Sequence, residues 1–375
     1  MFEIVEQNLK VAVSKTTHVV IKLGTGILTP HISESAKDEY FHKLAISVQR
    51  IKSQGKQVVI VSSGAVGMGI LEIREFHNIE IRKKREDLAL TEKQALASVG
   101  QSILINTYRT AFKKEKLPVA QILVTKEDFH NRSHYNNLKN TLDQLLKWGV
   151  VPVVNENDAV ALDELKFGDN DTLSANIAGM FPQTLLILMT TIDGFYFENQ
   201  KQDLISEITD AHLKEARLSA TGGIGGMRTK LKSALRILQS GQIMNIVSVD
   251  NPESLVNVLS CQKIGTWFFD SRFSNPLAAR KRWLLHHKNP QGQLTIDRGA
   301  VKALQSGPAS LLSVGLLNIE GDFPKNTIVN ILDDTGNEIG RGITLEDSDT
   351  LTKMLSQKEH SRGKEIIHRD NLVLL

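Results

Sequence analysis

The sequence predicts an α/β fold with a mainly parallel central sheet, followed by a smaller β-rich domain. Three observations lead there. Short apolar, β-branched runs alternate with longer stretches whose apolar residues recur at i, i+3 and i+4. Three of those longer stretches stop on a glycine. After Phe269 the alternation gives way to short strand-like pieces separated by Gly-rich turns. Strand then helix, repeated, is the pattern of a parallel sheet covered by helices.

The first strand is "HVVIKLG" from His18. Its near-continuous apolar character fits a strand buried on both faces. "YFHKLAISVQRIKSQG" follows as a helix, with Gly55 as its stop, since glycine adopts the left-handed conformation that ends helices at little cost. "QVVIVSSG" from Gln57 is the second strand, and "HYNNLKNTLDQLLKWG" is a helix closed by Gly149. "VVPVVNEND" from Val150 and "TLLILMTTIDG" from Thr184 are further strands. "MRTKLKSALRILQSG" is a helix closed by Gly241, and "MNIVSVD" from Met244 is the next strand. "DSRFSNPLAARKRW" is polar, basic and interrupted by Pro276, so it reads as a linker. Beyond Trp283, "GQLTID", "SLLSVGLLNIEG" and "NTIVNILDDTGNEIGRGIT" read as short strands and turns. The expected organisation is an α/β domain over residues 1–270, a linker over 271–281 and a β-rich domain over 282–375.

Bulk properties narrow the function classes. The chain has 375 residues, 41% hydrophobic and 23% charged, with a formal net charge of +3. That excess is too small to imply nucleic acid or a membrane surface by itself. Cys261 is the one cysteine, so no intrachain disulfide can form, and its apolar neighbours favour a packed thiol over a nucleophile. The N-terminus lacks a basic segment followed by an apolar stretch and cleavage site. No run of about 18 apolar residues suggests a membrane span. The expectation is a cytoplasmic protein.

Ligands of parallel sheets bind at the carboxyl ends of the strands. The first run carries Lys22 and then Gly24 and Gly26. Lys22 either snorkels from a half-buried strand or reaches a phosphate held by a Gly-rich turn. The second run ends on Ser62, Ser63 and Gly64, which either cap a helix or cradle an anion at its N-terminus. After Val150 come Asn155, Glu156, Asn157 and Asp158, then Lys166, then Asp169, Asn170 and Asp171. A helix cap needs one such residue and is worth about 1 kcal/mol, so the surplus suits an ammonium group or lysines that need orienting. "TTIDG" starts at Thr190, and "TGGIGGMRTK" brings Lys230 into a helix behind a Gly-rich loop, an arrangement suited to phosphate. Two lysines, Gly-rich turns and an acidic cluster at one sheet edge suit phosphoryl transfer, where positioning and charge neutralisation carry most of the chemistry.

With these residues in place, the chain resembles the amino acid kinase family, its glutamate 5-kinases in particular. The matching segments are "VVIKLGTGILT", "VVIVSSGAVGMG", "KQALASVGQ", "VAQILVT", "VVPVVNENDAVA", "KFGDNDTLSA" and "GGMRTKLKSA", in the family's order. "SGPASLLSVGLLNIEGDF" and "IIHRDNL" resemble the PUA domain attached to many bacterial members. The resemblance implies a three-layer sandwich, and phosphorylation of the γ-carboxylate of L-glutamate by ATP with Mg²⁺, the first step of proline synthesis. It assigns Lys22 and Lys230 to the phosphoryl group in transfer and Asp171 to holding those lysines, while the residue pattern itself lets Asp171 cap its helix at once. Ser63, Asp158 and Asn170 would hold glutamate, with Asp169 lining that site. Lys22, Gly24, Thr190, Thr191, Gly225, Gly226, Met227 and Lys230 would contact the nucleotide. No metal ligands are assigned.

The resemblance also implies feedback inhibition by proline and a homo-oligomer, dimer or tetramer. RNA binding by the C-terminal domain is an alternative to a regulatory or assembly role. From Ala279 to Leu375 there are 13 Lys/Arg and 12 Asp/Glu, a net of 13 − 12 = +1, a weak footprint for RNA. Two departures stand out. Thr191 occupies a position where the family often has an acid, and Ile224 stands where a small hydroxyl residue is common. The stretch before His18 is longer than the family needs and receives no role.

Overall fold

The computed structural model describes residues 2–24, 33–77, 87–161, 170–218, 226–270, 284, 290–307, 309–356 and 363–375. Asp169, Gly225, Ile224, Lys166 and the linker expected over 271–281 lie outside the described residues. The chain divides into two compact units, Met1–Pro276 and Leu277–Leu375.

The apolar runs of the first unit form strands buried almost without interruption. They are β1 (His18–Leu23), β2 (Gln57–Ser62), β3 (Val119–Val124), β4 (Val151–Glu156), β5 (Thr184–Thr190) and β9 (Ile243–Ser248). All six run parallel. Two short strands, β8 (Leu204–Ile205) and β10 (Thr266–Phe268), complete one edge, with β10 antiparallel to β9. The order β3-β4-β2-β1-β5-β9-β10-β8 places β1 in the interior, between β2 and β5. A hairpin of β6 (Phe195–Phe197) and β7 (Gln200–Gln202) lies apart from this sheet.

The helices are α1 (Phe2–Ser14), α2 (Glu34–Ser53), α3 (Ala65–His77), α4 (Leu90–Lys114), α5 (Glu127–His130), α6 (Arg132–Lys147), α7 (Asn170–Met180), α8 (Asp210–Leu218), α9 (Met227–Gln239) and α10 (Ser254–Leu259). Strand periodicity sorts residues between two helical layers. Val19, Ile21 and Leu23 of β1 share one core with Ile60, Val153 and Ile187 of the neighbouring strands, and with residues of α1, α2, α4 and α10. Lys22, one residue out of phase, belongs to the opposite face, where α7 packs against β1 and β5. Helices on both faces make three layers.

Within the first layer, α3 and α4 touch backbone to backbone. A Cβ on Gly100 would sit 1.8 Å from the Ala65 carbonyl oxygen, and one on Gly69 would sit 1.9 Å from that of Leu96. Only glycine permits that approach. The N-terminal stretch without an assigned role is α1, which buries Leu9 and Val13 in the same core. Lys56 closes its C-terminal end. The Lys56 ammonium donates to the carbonyls of Val13 (3.1 Å) and Thr16 (2.7 Å) and to the Thr16 hydroxyl (2.9 Å). A cation there meets the negative end of the helix, while burial pushes its pKa down.

The second unit is a five-stranded sheet in the order β13-β11-β14-β15-β17 and a two-stranded ladder of β12 with β16. The strands are β11 (Gly292–Ile296), β12 (Leu311–Leu312), β13 (Leu316–Glu320), β14 (Ile328–Leu332), β15 (Glu338–Ile343), β16 (Glu365–Ile367) and β17 (Leu372–Leu374). Its helices are α11 (Arg298–Ser306), capped by Asp297, and α12 (Ser348–Ser356). Leu294, Phe323, Ile331, Leu351 and Ile366 are among its core residues. No helix among the described residues is long and apolar enough to cross a membrane.

Candidate active site

The carboxyl ends of β1, β2, β4, β5 and β9 deliver Lys22, Ser62, Glu156, Thr190 and Ser248 to one edge of the sheet. Two helices also begin at this part of the fold. Asn170 and Asp171 open α7, and Lys230 lies in the first turn of α9. Helix N-termini carry partial positive charge and unsatisfied N–H groups, which favours anions.

Asp171 is fully buried and holds two lysines. Its Oδ1 lies 2.6 Å from the Lys22 ammonium and its Oδ2 lies 2.9 Å from that of Lys230. Both lysine side chains are 7% exposed. One carboxylate therefore sets the position of two ammonium groups arriving from opposite directions in sequence. The three side chains sum to a formal +1. Burying such a group is costly unless its geometry is well satisfied, and its net sign suits an anionic ligand. The expectation that Asp171 caps the helix needs correction. The helix begins at Asn170, which places Asp171 inside the first turn, and both of its oxygens face lysines.

Asn170 faces a second cluster. Its amide nitrogen donates to the Ser62 carbonyl (2.7 Å), to Ser63 Oγ (2.5 Å) and to Asn155 Oδ1 (3.2 Å). Asn155 Oδ1 also accepts from the Glu156 backbone N–H at 2.9 Å, and Asn155 Nδ2 donates to Gln101 Oε1 at 2.8 Å. Strand alternation puts Asn155 and Ser62 on the α4 face. Tyr108, seven residues from Gln101 on α4, donates its hydroxyl to Ser62 Oγ at 2.9 Å. Complete burial pushes the Tyr108 phenol pKa up, so it stays a neutral donor. Asp158 is half-buried in the turn after β4 and lines a cavity of about 320 Å³ with Gln101, Ser98, Glu156 and Asn157.

Gly24 donates its N–H to the Met189 carbonyl at 3.2 Å, and a Cβ there would lie 3.9 Å from the Lys22 ammonium. Thr190 is half-buried at the end of β5, while Thr191 is exposed. Gly226 is the N-cap of α9 in extended conformation, and Met227 is the first residue of that helix. A Cβ on Gly226 would meet no described atom within 4 Å. The structure thus brings together Lys22, Lys230 and Asp171, and beside them Asn170 and Ser63. Sequence reasoning named none of Gln101, Tyr108 and Ser248 as site residues. Ser248 donates to Asp250 at the end of β9, at 2.7 Å. A polar residue on the buried stripe of α4 was the available signal for Gln101.

A parallel sheet with a two-lysine carboxylate at its carboxyl edge defines a class of phosphoryl-transfer protein, and comparison with known families agrees. Residues 17–248 match the amino acid kinase family and residues 292–366 match the PUA domain. This chain belongs to the amino acid kinase family, and it is a kinase. Among curated relatives it is similar to the glutamate 5-kinase of Citrifermentans bemidjiense, 38% identical over 98% of this chain and 100% of that one. The glutamate 5-kinases of Synechococcus sp. (strain JA-3-3Ab) and Geobacter sulfurreducens are each 37% identical, over 95% and 96% of this chain and 98% of theirs. Among solved structures, a carbamate kinase from Giardia lamblia bound to AMP-PNP aligns at 15% identity over 68% of this chain and 99% of that one, with a TM-score of 0.48.

Proposed function

We propose that this kinase transfers the γ-phosphoryl group of ATP to the γ-carboxylate of L-glutamate, giving γ-glutamyl phosphate and ADP. The observation that carries the reading is the buried Asp171–Lys22–Lys230 triad beside the Asn170 cluster. The names of the relatives supply the acceptor.

The chemistry needs no general base, because a carboxylate is ionised at neutral pH. A carboxylate oxygen forms the new bond to phosphorus as the bond to the ADP oxygen breaks, and ADP leaves with the electron pair. Two anions must be brought together. Lys22 and Lys230 offset that repulsion from fixed positions, so no reorganisation is needed as charge moves. Asp171 holds them apart at a set spacing. Ser63, Asp158 and Asn170 hold the amino acid. Gly24, Thr190, Gly226 and Met227 border the nucleotide. Mg²⁺, when bound with the triphosphate, would neutralise part of its charge. Both Asp171 oxygens already face ammonium groups, so phosphate oxygens suit the metal better than this carboxylate does. Residues 1–270 form the catalytic domain and 282–375 a regulatory or assembly domain of a homo-oligomer.

ADP release with MgATP, with and without L-glutamate, tests this directly, with hydroxylamine trapping the acyl phosphate as a hydroxamate. Glutamate-dependent ADP and hydroxamate are expected, with Lys230→Ala slower by about 10²–10³-fold. A folded protein that releases ADP only with another acceptor would overturn the choice of substrate. In the same assay millimolar proline should shift the glutamate saturation curve by competing at the Asp158/Asn170 side. An unchanged curve would remove proline as a regulator.

A further inference from the structure

The Asn170 cluster has a direction built into it. The Ser62 carbonyl can only accept, so the end of the Asn170 amide that meets it at 2.7 Å is the NH₂. The Glu156 backbone N–H can only donate, so the end of the Asn155 amide that meets it is the oxygen. Two backbone groups therefore fix both amides. Asn155 is left with its NH₂ facing α4, where Gln101 Oε1 accepts it at 2.8 Å. That commits the oxygen of Gln101 and turns its NH₂ the other way. Gln101 is half-buried and lines the 320 Å³ cavity. Two other α4 residues on that cavity, Ser98 and Ser102, spend their hydroxyl protons on the helix carbonyls of Gln94 and Val99. The β4 side of the cavity carries Glu156 and Asp158. One wall thus offers carboxylates and the other an amide donor, a polarity matched to an α-amino acid, with its ammonium toward β4 and its carboxylate toward α4.

We propose that Gln101 is a specificity-determining residue of the acceptor site, its Nε2 donating to the α-carboxylate of the amino acid substrate. The inference rests on the reading of glutamate as acceptor. Gln101 directly follows Gly100, where α3 and α4 meet backbone to backbone, and lies within reach of Asn155.

The test compares L-glutamate with two truncated acceptors, 4-aminobutanoate, which lacks the α-carboxylate, and glutarate, which lacks the amine. Gln101→Leu should lower kcat/KM for glutamate by about 10- to 100-fold, the size of a hydrogen bond to a charged group. It should change kcat/KM for 4-aminobutanoate by less than about 3-fold, while the penalty for losing the amine in glutarate stays as in the wild type. Gln101→Glu keeps an acceptor for Asn155 but sets a carboxylate against the substrate's own. It should raise the glutamate KM at least as much as the leucine variant, with the ATP KM unchanged. Equal losses on glutamate and 4-aminobutanoate, or a wild-type KM in Gln101→Glu, would overturn the proposal and leave Gln101 as a structural residue. Wild-type protein that turns over neither glutamate nor 4-aminobutanoate would overturn the acceptor reading itself, and this inference with it.

Discussion

Among the described residues, two carboxylates are each held between two lysines, in contrasting surroundings. Asp171 in the first unit is fully buried, with Lys22 and Lys230 both 7% exposed. Glu346 in the second unit is 11% exposed, but its partners Lys325 and Lys364 are 53% and 52% exposed. The distances do not separate them: 2.6 and 2.9 Å in the first, 2.5 and 2.7 Å in the second. A two-lysine carboxylate is therefore not a site by its contacts alone. Asp171 stands at a helix start on the carboxyl edge of a parallel sheet, where its lysines are screened from water. The lysines at Glu346 are bathed in solvent, which weakens their field and lets them relax.

The largest break in this comparison should come from Asp171→Asn. The amide keeps the shape but removes the one negative charge between two buried ammonium groups. Removing one partner of a buried ion pair costs about 3–5 kcal/mol, because the remaining charge is left uncompensated. Urea unfolding should show a loss of that order, and glutamate-dependent ADP release should fall by about 10²–10³-fold. A variant within fivefold of wild-type rate would mean that the lysines find their positions without Asp171.

A smaller effect, but one that tests how far the buried site depends on packing, is Gly100→Ala. The added methyl would lie 1.8 Å from the Ala65 carbonyl oxygen and 2.4 Å from the Gly69 nitrogen. Both neighbours are backbone, so α3 and α4 must move apart. Overpacking of this kind costs about 1–3 kcal/mol. Because α3 starts two residues after Ser63, and Gln101 follows Gly100, the glutamate KM should rise while the ATP KM holds. Gly336 in the second unit offers the contrast. A Cβ there would meet no described atom within 4 Å, and what favours glycine there is the backbone angle, φ +87°.

The sequence disclosed these regions unevenly. The interior strands were legible because burial on both faces leaves unbroken β-branched runs such as Val19–Ile21 and Val58–Val61. Lys22 was legible for the complementary reason, a charge with no business inside such a run unless something receives it. Strands β8 and β10 were not, since two or three residues leave no periodicity to read, and Trp267 could belong to any buried element. The role of α1 was hidden because what anchors it, Lys56, sits some 40 residues away and binds carbonyls that every residue has. Gln101 carries no mark of a role in the sequence alone. Its meaning comes from Asn155, 54 residues later, and only the folded sheet brings the two amides together.

The smallest expected effect belongs to the exposed member of the pair. Glu346→Gln should leave the kinase rate unchanged and alter stability slightly, in a way that depends on pH and salt. The hydrogen bond from Lys325, then that from Lys364, hold the Glu346 carboxyl below its usual pKa. A depressed folded pKa means that the folded state prefers the ionised form. The stabilisation is therefore present above the ordinary carboxylate range, about 4.3, and is lost as pH falls through the lowered value. The difference in unfolding midpoint between wild type and variant should be visible near pH 7, close as the pH drops below about 4, and shrink in 1 M salt, where the screening length falls to about 3 Å. At Asp171 the same salt should matter far less, because water and ions do not reach between the charges. If both variants lost their effect equally in salt, burial would not be what separates the two sites, and the Asp171 triad would have to be distinguished by its place on the sheet edge alone.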